Sequence, residues 1–373
     1  MNYDFSELSL VIGDSDLSGQ LKIDLTGQRP RVEGRLSASH LDLRPYLKTT
    51  AEGNLPETPT AVTTTGRKAK VFSSEPFDLS VLEAGDLNLN VETGTLLLPR
   101  WSAQALTIGV LLQDGDLTVD PLKFNSEEGS AEGHVRLKSE ADQHTVSAVL
   151  KIDGQDVGRM LDRLNLDRDI EGILNVIINI DAPAESVAAF MGGLDGVIVA
   201  SMSQGRLNNK FIRIYSANIE TTLKQLISPF TQRDESLEVN CLVNSLEIQN
   251  GDAIYAGLLD TPQTTLVAAG KIDLQKERLD ITLKSSPKSG FRVGKLGRFG
   301  FSLNELTKPF KLSGTLAHPS LAVDATQTAI TFGKLLGGLA LGPIGIAAVF
   351  ADISLGDADP CAKALEAVDK VVK

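Results

Sequence analysis

The side chains able to do chemistry are scattered along this chain. Four histidines, His40, His134, His144 and His318, stand alone, with no His-Glu-x-x-His or other close spacing that would hold a catalytic metal. No Gly-x-Ser-x-Gly elbow presents a nucleophile. Asp and Glu are plentiful, but they fall on the polar faces of expected strands and in turns, where solvation explains them. The expectation is a protein that is not an enzyme and has neither cofactor nor metal. Two other groups carry charge or reactivity. Cys241 and Cys361 are the only cysteines, enough for at most one internal disulfide. The segment from Lys284 to Lys311 sets seven cations against Glu305 in an acidic chain. There Lys288, Arg292, Lys295 and Arg298 are candidates to attract anionic head groups, with Phe291, Phe299 and Phe301 at a membrane boundary. A solvated loop is the plainer reading. Its glycines form no phosphate loop, because Lys295 is followed by Leu296 where Ser or Thr is required.

Apolar residues in strict alternation are the dominant pattern. From Asp86 onward Leu87, Leu89 and Val91 alternate with Asn88, Asn90 and Glu92, which puts one greasy and one polar face on a strand. The pattern recurs at Ile108, Val110, Leu117, Val119, Leu150, Ile152, Val176, Ile178, Leu266, Ile281 and Leu283. Such a face either lines an open groove or interlocks with a second sheet in a closed sandwich, and periodicity leaves both open.

The elements that must position these residues are mostly strands, about eighteen candidates bounded by turns such as Asp114-Gly115 and Glu128-Gly129, in a meander of antiparallel hairpins. Gly-centred strands followed by alternating ones recur at 31–38, 130–137 and 269–274, a weak hairpin repeat. Helices are few: 156–166, 184–191 and 211–227 carry apolar stripes at helical spacing. They are too few to cover both faces of so many strands. The fold expected is mainly β, a long curled antiparallel sheet or groove with a few short helices and a helical C-terminal tail. Four regions follow: 1–48, a β unit; 49–76, a Thr- and Pro-rich linker; 77–325, a β domain; and 326–373, an apolar helical tail. In that tail 335–351 is free of charge, but its Pro343 and glycines favour a broken helical pair over a membrane span.

At 373 residues and 42% hydrophobic content the chain can bury a sizeable core, and with only 5% aromatics that core is aliphatic. The formal charge of −12 opposes a polyanion, so nucleic acid is not an expected partner. The N-terminal residues contain no charged stretch followed by an apolar one, so no signal peptide or anchor is visible there.

Residues 71–89, the block from Leu194 through Gly205-Arg206-Leu207, and the stretch from Asp359 to Leu365 resemble the C-terminal region of AsmA-family proteins. Members of that family look like Gram-negative envelope proteins, held in the inner membrane by an N-terminal helix that this chain lacks and extending through the periplasm as a curled β-groove. They are implicated in outer-membrane biogenesis and phospholipid movement. The resemblance implies the groove rather than the sandwich, with the alternating residues above as its lining, phospholipid as cargo and both membranes as partners. A periplasmic location also implies a Cys241–Cys361 bridge. The rival expectation is a structural or interaction module that helps envelope assembly proteins build the outer membrane and binds no lipid.

Overall fold

The computed structural model describes residues 1–27, 29–47, 70–99, 101–140, 143–208, 236–288, 309–323, 360–364 and 366. Among the described residues, sixteen strands form a single open sheet in which spatial order equals chain order. They are β1 (Asn2–Ile12), β2 (Ser15–Asp24), β3 (Arg31–Asp42), β4 (Asp86–Leu98), β5 (Trp101–Gln113), β6 (Asp116–Ser126), β7 (Gly129–Glu140) and β8 (Gln143–Asp156), followed by β9 (Ile170–Pro183), β10 (Asp195–Asn208), β11 (Ser236–Gln249), β12 (Asp252–Asp260), β13 (Thr264–Asp273), β14 (Arg278–Pro287), β15 (Phe310–Thr315) and β16 (Pro319–Val323). With strands about 4.8 Å apart, the sheet runs roughly 70 Å from one edge to the other. Nearest-neighbour order follows from short turns. Asp114-Gly115 and Asn250-Gly251 each place two successive residues at positive φ (52° and 92°; 49° and 77°), the geometry that continues the twist of a hairpin.

One pairing departs from the expected antiparallel meander. β3 and β4 are parallel, with Val32 opposite Leu87 and Leu36 opposite Val91. A parallel pair needs a long crossover, and the connection 43–85 supplies it. The sheet therefore continues without interruption across the region read from sequence as a linker.

Among the described residues, two short α-helices and a 3-10 helix at Ser80–Glu83 interrupt the strands. Asp156 caps α1 (Val157–Arg163) by accepting from the Arg159 N–H, and Ser186 caps α2 (Val187–Gly192) through the Ala189 N–H. Residues 360–364 are also helical. The expected helix at 211–227 and the apolar stretch 335–351 lie outside the described residues. No described helix is long and apolar enough to cross a membrane.

The buried core sits towards the C-terminal end. One cluster joins Met202, Val239, Leu266, Ile281, Leu283 and Phe310, a second joins Val199, Val243, Leu258 and Val267, and a third joins Leu194, Ile248, Ala253 and Leu274. The first two lie on opposite faces of the same strands, which is why β12 and β13 read as nearly unbroken apolar runs.

Candidate functional site

Cross-strand register assembles the alternating residues into one surface. A single row passes from Leu36 to Val91, Ile108, Leu122, Gly133, Leu150 and Ile178. It continues through Ile198, Leu246, Tyr255, Gly270, Ile281, Leu312 and Leu321. A neighbouring row runs Leu89, Val110, Val119, Val135, Ala148 and Ile180. The thirteen lining positions read from sequence all fall on this face. A one-residue slip in any ladder would have turned a strand's apolar set outward, so the bulges matter. Between Val119 and Leu122 β6 carries an extra residue, which keeps both side chains on the apolar side.

The opposite face is polar over the same strands. Its row Ser37, Glu92, Thr107, Lys123, Glu132 and Lys151 turns apolar only at Ile177 and Val199. There the helical residues 360–364 cover the sheet. Ala364 is fully buried in the cluster with Val199, Val243 and Leu258, and a disulfide joins Cys361 to Cys241 with 5.9 Å between Cα atoms.

Burial divides the apolar face in two. Leu87, Leu89, Ile108, Val110, Leu117, Val119, Leu150, Ile152, Val176 and Ile178 are half-buried, whereas Leu266, Ile281 and Leu283 are 5–7% exposed. Among the described residues, β1–β7 meet chiefly their neighbours in the sheet, and the three buried clusters take in none of their side chains. At β1 the surface is bare: Tyr3, Phe5, Leu10 and Ile12 are 42–50% exposed. The result is an aliphatic trough, open from β1 to β9 and more deeply buried from β10 onward, where Met202, Leu266, Ile281, Leu283 and Phe310 are buried while Ile198, Leu246 and Leu312 stay half-buried.

One polar pair interrupts the more deeply buried part. Tyr255 Oη donates to Asn244 Oδ1 at 2.7 Å, beside Gly257, where an added Cβ would lie 2.3 Å from the phenol oxygen. Burial pushes the Tyr255 phenol from 10.0 to about 12. A raised folded-state value means that this stability is complete below pH 10 and is lost as pH rises towards 12. Tyr255→Phe is expected to remove that alkaline dependence, read as a flatter unfolding free energy between pH 10 and 12.

The cationic segment is only partly described. Arg292, Lys295 and Arg298 lie outside the described residues. Lys288, assigned above to head groups, spends its charge elsewhere: its ammonium sits 2.7 Å from the carboxylate of Asp260, which is 3% exposed and also accepts from Asn240 Nδ2 and Thr265 Oγ1, each at 2.7 Å. Lys288 thus anchors the end of β14, because a buried carboxylate demands a counter-charge. Asp260→Ala leaves those donors unpaired and is expected to cost about 2–4 kcal/mol in chemical denaturation.

Sequence reading singled out residues 71–89 for their resemblance but gave no partners for the segment 70–85. Val71 and Phe72 donate their backbone N–H groups to the two carboxylate oxygens of Glu277, at 2.7 and 3.0 Å. Ser73 O accepts from Ala188 N, Phe77 N donates to Glu185 O, and Pro76 bridges to Ser186. Arg29 then holds the carbonyls of Leu82 and Gly85 as the chain enters β4. Its short pieces lack any periodicity, and nothing in their spacing names Glu277 as partner.

Among the described residues no three His, Cys, Asp or Glu side chains converge to hold a metal ion.

An open single-layer sheet with one continuous apolar face and a polar back defines a β-trough protein. The AsmA family model matches residues 7–255, and the chain belongs to the AsmA family. It is similar to the AsmA family protein YhjG of Escherichia coli (strain K12), 24% identical over 386 residues that cover 99% of this chain and 53% of that protein. The chain thus spans about half the length of the curated relative it matches. No solved structure matches.

Proposed function

We propose that this chain carries or shields the acyl chains of phospholipids in its apolar trough, between the inner and outer membranes of a bacterial envelope, and catalyses no reaction. The observation that carries the reading is the row of half-buried aliphatic side chains running from Leu36 to Ile178, interrupted at Gly133, with a polar face behind it. Leaving so much contiguous apolar surface in water is costly, and an acyl chain is its natural complement. Each methylene withdrawn from water is worth about 0.8 kcal/mol, so even one-sided cover recovers a useful part of the cost of extracting a lipid. Membership of the AsmA family supports an envelope role linked to outer-membrane biogenesis. The Cys241–Cys361 bridge suits an oxidising compartment such as the periplasm.

The test is binding of a fluorescent phospholipid followed by native electrophoresis. Co-migration of label with the folded protein supports the lipid reading. A second reading is an assembly module that docks partner proteins and binds no lipid. A folded chain that retains no label favours that one.

A further inference from the structure

We infer that the trough is blind at its C-terminal end and that the strap formed by residues 70–77 is the gate that closes it. This rests on the lipid reading above. Phe72 of the strap, like Phe190 and Met191 of α2, packs against the cluster of Leu194, Ile248, Ala253 and Leu274 at the strand ends of the apolar face. An acyl chain moving from the open strands towards β13 meets this aromatic and thioether block where the aliphatic floor would otherwise continue through Ile198 and Leu246.

The strap is held by backbone hydrogen bonds to α2 and the residues before it, and by one side-chain clasp. Its apolar anchor is Phe72, and its polar clasp is Glu277, which is 3% exposed and sits at φ 56° in the β13–β14 turn. Glycine would adopt that backbone more cheaply, whereas glutamate supplies both acceptors for the strap's N–H groups. Releasing the clasp removes the two hydrogen bonds that fix the backbone of Val71 and Phe72, and frees Phe72 to swing off the trough. Glu277 is a positioning residue: it touches no lipid and acts through Phe72.

Site-specific photo-crosslinking tests the gate. A benzophenone amino acid is placed in the full chain at Val119, in the open trough, or at Leu246, on the floor beneath the gate, and the protein is incubated with phospholipid vesicles and irradiated. With the strap intact, lipid is captured at position 119 and not at 246. Phe72→Ser, Glu277→Ala and, from the α2 side, Phe190→Ala each raise capture at 246 several-fold and leave 119 unchanged, a positional split that general destabilisation would not produce. Circular dichroism confirms that each variant is folded. Capture at both positions with the strap intact overturns the gate and spares the lipid reading, as does capture at 119 alone in every variant. Capture at neither position overturns the lipid reading and the gate with it.

Discussion

Glutamate at Val110 and Val119 together weakens phospholipid binding by about tenfold or more, while glutamate at Asn88 and Asn90 leaves it unchanged. The two valines are register partners on β5 and β6, half-buried in the middle of the open trough. In the empty protein both carboxylates would reach water, so the fold tolerates them. A bound acyl chain would strip that water and leave two like charges desolvated side by side, at a cost of about 1–3 kcal/mol or more for each group. Asn88 and Asn90 lie on neighbouring β4 but face the polar side, so the control adds the same charge to the same region and spares the trough. Titration of a fluorescent phospholipid against each variant, with thermal unfolding alongside, reads the effect. Equal affinity for both double variants would place the bound lipid elsewhere.

Breaking the disulfide has the largest expected effect on stability. Cys241 and Cys361 are 120 residues apart in sequence, and closing so long a loop removes about 4–5 kcal/mol of unfolded-chain entropy in the simplest treatment, with about 2–5 kcal/mol typical of native bridges. Here the bond also pins the helical residues 360–364 over Val199, Val243 and Leu258, so its loss uncovers an apolar patch on the polar side of the sheet. Cys361→Ser is expected to lower the unfolding midpoint by roughly 5–10 °C, and dithiothreitol should bring the unmodified chain to the same value. A midpoint unmoved by either treatment would show that the tail holds without its bridge.

Much of this architecture was legible because β-structure writes itself into sequence with a period of two. Leu87, Leu89, Ile108, Val110 and their successors could be assigned to one face before any pairing was known, since alternation within a strand, together with short turns, leaves the register little freedom. The exceptions are physical. The parallel β3–β4 pair depends on where a long connection returns, which no local pattern encodes. The difference between half-buried Ile178 and buried Ile281 depends on what lies over each, which the local pattern does not encode. Lys288 looked like one of a group of free cations, because its partner Asp260 is brought close only by the β12–β13–β14 pairing. The Glu277 clasp joins residues more than 200 positions apart through backbone N–H groups, which every residue but proline possesses and which therefore carry no sequence signature.

The central claim is that the aliphatic row from β3 to β9 holds lipid. Native mass spectrometry of the folded chain, released gently from an expressing bacterium's envelope, tests it most directly. The account predicts adducts at phospholipid masses that disappear in the Val110→Glu, Val119→Glu variant and persist in the Asn88→Glu, Asn90→Glu one. A bare polypeptide mass from folded protein under the same conditions would contradict it.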